Sequence, residues 1–186
     1  MPAGVEIPSD PGFYTVDSRF LDSGREAAWN VWYDAHIDGM IEHVPGFVSS
    51  QRFRKTDPQD REYFGLHTLG SGDVLTSTPY TSRGGTFPPQ WLPLITDWYR
   101  GFYIGADRFP EVPDDHVLVV TDLMRAEVAP TGVDFVWVTG AALTPRTPQR
   151  GLAIRSREDG NGLAARYPAM VRVFAPITRL KRQRAG

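Results

Sequence analysis

The stretch WNVWYDAHIDGMIEHVPGF, residues 29–47, decides how the chain is read. At 100° per residue, Trp29, Tyr33, His36, Met40 and His43 fall in one stripe, with Ala28, Trp32 and Ala35 on its flank, so the spacing predicts an amphipathic helix lying on a sheet. Val44 precedes Pro45, which disfavours the helical region for the residue before it, and Gly46 turns the chain into a strand over residues 47–54. Upstream, Ser23 and Glu26 have the spacing of a capping box that would start the helix. Before them, residues 13–20 have the β-branched and aromatic content of a strand.

Working outward, residues 56–60 form a polar turn and residues 62–69 a third strand. Strand, helix, strand, turn, strand is the opening of a ferredoxin-like unit. A short helix is expected at 73–77, then a Pro/Gly-rich loop over 79–89 of the length that often serves as a lid. Helical spacing of Trp91, Leu94, Ile95 and Trp98 predicts a helix over 90–100, with a fourth strand at 101–105.

Further strands are expected at 116–123, 133–139, 151–156 and 170–179. GLHTLGSGDVLTSTPY (65–80) and GLAIRSREDGNGLAARYP (151–168) share a strand, a glycine turn, a short helix and a Pro/Tyr ending. The second half therefore reads as a degenerate repeat of the first, its main helix reduced to about 125–131. The implied organisation is an arm at 1–11, a ferredoxin-like unit at 12–110, a degenerate second unit at 111–180 and a basic, solvated tail at 181–186. The predicted fold class is α+β: two ferredoxin-like antiparallel sheets packed into an eight-stranded α+β barrel, with the pocket expected in the cavity between the sheets.

The 186 residues suffice for one sizeable core, and 41% hydrophobic with 23% charged residues is a globular balance. A net charge of −2 supplies no basic field for a nucleic-acid backbone, and no membrane span is visible. The absence of cysteine excludes disulfides and thiolate chemistry. MPAGVEIPSDPG has neither a basic nor an apolar leader region, so a cytoplasmic location is expected.

Trp32-Tyr33-Asp34-Ala35-His36, then His43-Val44-Pro45-Gly46-Phe47 and Gln51-Arg52-Phe53, resemble the EthD-like branch of the dimeric α+β barrel superfamily. Residues 73–80 look like the segment that follows in such proteins, and the resemblance covers roughly 12–105. The chain departs at the histidine: the common spacing places it one residue later or doubles it, whereas only His36 stands here. The resemblance implies the fold and, if the second half is not a true repeat of the first, a homodimer paired through its sheets. It implies a range of activities too, because the superfamily includes small polyketide cyclases, cofactor-free monooxygenases, lactone isomerases and haem-dependent enzymes.

Alternation in the third strand puts Tyr63, Gly65, His67 and Leu69 on one face and Phe64, Leu66 and Thr68 on the other. With the apolar face against the helices, Tyr63 and His67 would look into the barrel. His67 or His36 would then move a proton beside a carbonyl, with Tyr63 or Tyr33 as donor. Gln51, Phe53, Trp32 and Tyr103 are the candidate substrate contacts. His36 and His43, seven residues apart, are about 10 Å apart along a helix and cannot share a metal ion. No nucleotide or metal motif is present, so no cofactor is expected.

The leading expectation is a cofactor-independent lyase, isomerase or cyclase acting on a small aromatic or hydrophobic carbonyl compound. The alternatives are a cofactor-free monooxygenase of a phenol, a haem enzyme using His116 or His67, and a non-catalytic binder of a hydrophobic metabolite.

Overall fold

Residues 6–85 and 87–183 are described by the computed structural model. The first strand, β1 (Gly12–Phe20), is buried on both faces, the mark of a strand with a core on one side and a covering layer on the other. Helix α1 (Glu26–His43) follows. The expected Ser23–Glu26 capping box does not form. Asp22 Oδ1 accepts instead from the amides of Gly24 and Arg25, at 2.9 and 3.3 Å. Glu26 is thereby free to turn inward, where Arg54 Nε donates to it at 3.0 Å and the Tyr63 hydroxyl also donates. The helix ends as its sequence dictates: Val44 is extended before Pro45, and Gly46 takes φ +83 to enter β2 (Phe47–Lys55).

The chain continues through β3 (Glu62–Leu69), a 3-10 turn at Gly72–Thr76 and the single turn α2 (Thr78–Thr81), to β4 (Ile95–Ile104). Residues 90–100 are not the expected helix: Leu92–Leu94 is one 3-10 turn and β4 starts at Ile95. Pro93 cannot continue a helix, and pairing of β4 with β1 from Ile95 opposite Phe20 to Tyr103 opposite Phe13 outweighs the helical spacing of the tryptophans. After β5 (His116–Thr121) come α3 (Arg125–Val128), β6 (Val136–Thr144), β7 (Gln149–Ser156), α4 (Arg157–Arg166), β8 (Arg172–Pro176) and the short β9 (Lys181–Arg182).

All strand pairings are antiparallel, and they run β3-β1-β4-β6-β7-β5-β8-β2 before β2 pairs back to β3. An eight-stranded barrel thus closes within one chain. The orders β2-β3-β1-β4 and β6-β7-β5-β8 are the same permutation, so each half is threaded in the ferredoxin-like way. Where the first half has the 18-residue α1, the second has only α3 and the 3-10 turn Ala129–Thr131.

The barrel interior is filled. Phe13, Phe53, Phe64, Tyr103, Leu118, Val138, Leu152 and Phe174, one from each strand of the barrel, form a single cluster. This reverses the orientation expected for β3: Phe64 and Leu66 point inward, while Tyr63 and His67 face the helix layer. An eight-stranded barrel has room for little but side chains, and hydrocarbon rings fill it at no polar cost. The phenol of Tyr63 finds Glu26 and Asn30 on the helical side. The expected cavity between the sheets is therefore occupied by core.

One end of the barrel is closed by charge. Asp17 from β1 lies 2.9 Å from Arg150 of β7 and 2.8 Å from Arg172 of β8; Arg172 also reaches Glu62 of β3 at 2.6 Å and Asp122 at 2.5 Å. Carboxylates of the first half thus meet guanidiniums of the second. Burial alone would raise the carboxyl of Asp17, but Arg150 and Arg172 outweigh it and hold its pKa below the usual carboxylate value.

The basic C-terminal segment is not the expected solvated tail over its described part. Lys181 Nζ donates to Asp38 at 2.6 Å, and the Gln183 side chain donates to the carbonyls of Ile41 and Val44, both at 3.1 Å. Residues 184–186, like residues 1–5 of the arm, lie outside the described part. No helix is long and apolar enough to cross a membrane.

Breaking a buried ion pair strands its partner, so Asp17→Asn should lower the unfolding free energy by about 3–5 kcal/mol in urea titrations at pH 7. A depressed carboxyl gives stability that is present above its unfolded pKa and is lost as pH falls through the folded one. The penalty of the variant should accordingly shrink when the titration is repeated below about pH 3, near the base of the carboxylate range.

Candidate functional site

The sheet's outer face and α1 enclose a cleft. From α1, Trp29, Tyr33, Ile37 and Met40 are buried, with Trp32 and His36 beside them, so the predicted stripe holds over most of the helix. His43 breaks the pattern: it is exposed, 3.7 Å from Glu42. From the sheet, Tyr14 and Val16 of β1, Arg52 of β2, His67 of β3, and Trp98 and Arg100 of β4 look outward. Gly85 and Phe87 cover the cleft, with Phe87 buried.

Arg52 organises the floor. It is 2% exposed, yet its guanidinium reaches Asp34 at 2.5 Å, the Asn30 side chain at 2.8 Å and the Asn30 carbonyl at 3.3 Å. Its centre lies 4.1 Å from the ring of Tyr33 and 5.2 Å from that of Trp29, stacking contacts that suit a planar, weakly hydrated cation. The helix is thus fastened to β2 by one side chain.

Above Arg52 a small cavity remains, about 30 Å³, the share of roughly one water. Its wall includes Tyr14, Tyr33, His36, Trp98 and Arg100. The Tyr80 hydroxyl donates to that of Tyr14 at 3.2 Å. Behind Tyr14 lies His67, its ring 5.4 Å away and its Nδ1 2.8 Å from Ser50 Oγ. Larger hollows, of about 710 and 450 Å³, are open grooves at the C-terminal end of α1 and at the barrel rim; neither is lined by histidine or tyrosine.

The protonation states follow from burial and two cations. Burial, the nearby His36 and the charge of Arg52 push the His67 imidazole down to about 3. Burial and Arg52 likewise lower His36. Burial raises the phenol of Tyr14 well above its usual value, with Tyr80 adding to it and Arg100 pulling the other way. Burial also raises Tyr33 and Tyr80. At neutral pH the cleft therefore presents uncharged imidazoles and protonated phenols beside two guanidiniums. Arg52 is neutralised by Asp34; among the described residues no carboxylate pairs with Arg100, which donates to the carbonyl of Gly85.

The sequence-predicted residues divide between two places. His36, Tyr33 and Trp32 line the cleft, with His67 just behind its wall. Tyr63 is at the other end of α1, packed on Trp29 with a ring separation of 4.5 Å. Gln51, Phe53 and Tyr103 are in the barrel interior. The amide of Gln51 exchanges hydrogen bonds with both backbone groups of Val112, at 2.8 and 3.0 Å. Phe53 is core, and the Tyr103 hydroxyl donates to the Thr147 carbonyl at 3.1 Å. His116 lies at the start of β5, 2.8 Å from Asp115. Sequence reasoning missed Tyr14 and Arg100, which line the cleft, and Arg52 and Tyr80, which stand behind Tyr33 and Tyr14. Arg100 was hidden by the helical reading of 90–100, whereas Tyr14 and Arg52 follow from strand alternation once the facing of β3 is corrected.

No family model matches the chain, and no curated protein matches it in sequence. Solved structures do share its fold. A candidate monooxygenase from Fusobacterium nucleatum subsp. nucleatum is 8% identical with a TM-score of 0.54, over 96% of both chains. One from Lactobacillus acidophilus is 8% identical with a TM-score of 0.52, over 96% of this chain and 97% of that one. An anthrone oxidase-like protein is 10% identical with a TM-score of 0.56, over 97% of this chain and 98% of that one. At such identities the likeness is one of architecture: this chain has the α+β barrel fold of the dimeric α+β barrel proteins, with its barrel closed inside a single polypeptide.

Proposed function

We propose that the protein is a monooxygenase of a phenol or an enolisable polycyclic ketone, and that its own side chains carry out the proton chemistry. The observation that carries this reading is the pairing of an uncharged His36 with the guanidinium of Arg100 in one aromatic-walled cleft. His36 would take the acidic proton, and Arg100 would hold the resulting oxyanion. The electron-rich ring then reacts with dioxygen. At a ring methylene, one oxygen atom becomes the ketone oxygen and the other leaves as water with the two hydrogens.

The names of the three similar structures favour oxygenation over the lyase, isomerase or cyclase reading. The first step is common to both, since each begins by removing a proton beside an oxygen. Tyr14, kept protonated by burial and itself accepting from the Tyr80 hydroxyl, would act as a donor to the same oxygen. Within this reading His67 is a positioning residue that backs Tyr14, Tyr33 holds Arg52, and Tyr63 anchors the start of α1.

Supplied with a hydroxylated anthrone in air, with no flavin, haem or metal added, the protein should consume one dioxygen for each ketone formed, read by oxygen electrode and mass spectrometry. Conversion without oxygen uptake would instead identify a proton-transfer isomerase or cyclase, and an unchanged ligand a binding protein.

His36→Ala should reduce kcat about 10²- to 10⁴-fold, the usual contribution of a positioned base. A histidine with a lowered pKa is already unprotonated at neutral pH. Wild-type kcat should therefore rise with pH only below about 6.5 and be flat from pH 7 upward. The His36→Ala variant should lose that acid limb.

A further inference from the structure

The cleft is occupied by the protein itself. Phe87 places its ring 5.0 Å from that of Trp98, 5.7 Å from that of Tyr33 and 6.0 Å from that of Trp32, so three aromatic walls surround one aromatic guest. Two positions earlier, the carbonyl of Gly85 accepts from Arg100, whose guanidinium also lies over Trp98 at 5.0 Å. Gly85 has φ +91, a conformation that a side chain would strain, so a glycine is what allows its carbonyl to reach Arg100. The indole N–H of Trp98 is buried and has no acceptor among the described residues.

We infer that Gly85 and Phe87 together are an internal mimic of the ligand: a ring held between Trp32, Tyr33 and Trp98, and an oxygen held by Arg100. The inference rests on the proposed function and narrows it to a planar aromatic molecule carrying a phenol, enol or keto oxygen at its edge. Three features support that class. The slot accepts one aromatic ring in tilted and edge-on contact with three others, at interplanar angles of 52°, 56° and 76°. Its one cation without a carboxylate partner among the described residues, Arg100, meets only neutral oxygens, the carbonyl of Gly85 and the phenols of Tyr14 and Tyr80, weaker partners than an oxyanion would be. The cleft has only about 30 Å³ to spare, so a ligand must take the place of something already there.

Binding then exchanges one ring and one oxygen for another pair. The exchange has a cost: apparent affinity is reduced by the fraction of molecules in which the slot is free. Removing the internal ring removes the competitor. The sign of the effect is therefore opposite to that for a residue which simply forms part of the wall.

Equilibrium dialysis of 1-naphthol and of naphthalene against the intact chain tests this. Phe87→Ala should bind both probes roughly tenfold or more tightly than wild type. Adding Arg100→Gln should weaken 1-naphthol roughly ten- to hundredfold, leaving naphthalene almost unchanged, because a hydrogen bond to a charged donor is lost only by the oxygenated probe. Should Phe87→Ala fail to fold by circular dichroism, Phe87→Trp replaces it; a larger internal guest should weaken both probes.

Equal or weaker binding by Phe87→Ala, or unchanged binding by Phe87→Trp, would overturn the mimicry. So would a 1-naphthol to naphthalene ratio that ignores Arg100. The two readings fail separately. Dialysis results as expected with no oxygen uptake on any phenol would remove the oxygenase and keep the mimicry, whereas oxygen uptake with no tightening in Phe87→Ala would do the reverse.

Discussion

An eight-stranded barrel closed on itself has an interior about as wide as the side chains that fill it, and everything else in this molecule is arranged around that constraint. Phenylalanines from β1, β2, β3 and β8 occupy the middle, and the Asp17–Arg150–Arg172 cluster blocks one end. Among the described residues no ligand chamber is left inside. The aromatic-walled cleft lies instead on the outer face of the sheet, between it and α1 and under Gly85 and Phe87. The position of α1 therefore fixes the position of the cleft.

Holding α1 in place falls to Arg52. Its guanidinium leaves water entirely and recovers the cost through Asp34, Asn30 and two aromatic faces, all contributed by the helix. The same charge is felt by both imidazoles of the cleft, which it helps to keep unprotonated. One side chain thus links packing to proton affinity. A change that loosened the helix would also shift the chemistry available beneath it.

Much of this was legible in the residues. The helix, its Pro-Gly exit, the strands flanking it and the reduced second half follow from spacing and turn chemistry. What misled was facing. Phe64 and Leu66 are more apolar than Tyr63 and His67, but alternation fixes only that the two sets oppose each other; which set is inside depends on strands far away in sequence. Reading β3 the wrong way round placed the pocket between the sheets and brought Gln51, Phe53 and Tyr103 into it. Trp91 to Trp98 misled for a related reason, since helical spacing also arises where a loop feeds a strand, and Pro93 was the residue that spoke against the helix. Tyr80 stood inside a recognised segment, but nothing local reveals that its hydroxyl meets that of Tyr14.

The two halves share a strand order but not a helix, and that asymmetry bears on assembly. In an arrangement built from two identical chains, closing the barrel is a second-order event, and the population of closed barrels falls as the protein is diluted. Here β4 meets β6 and β8 meets β2 within one polypeptide, so closure is first order and the effective concentration of one half for the other is set by the connecting chain. The second half, without a long helix, supplies the four strands that close the barrel on which the first half's cleft is built.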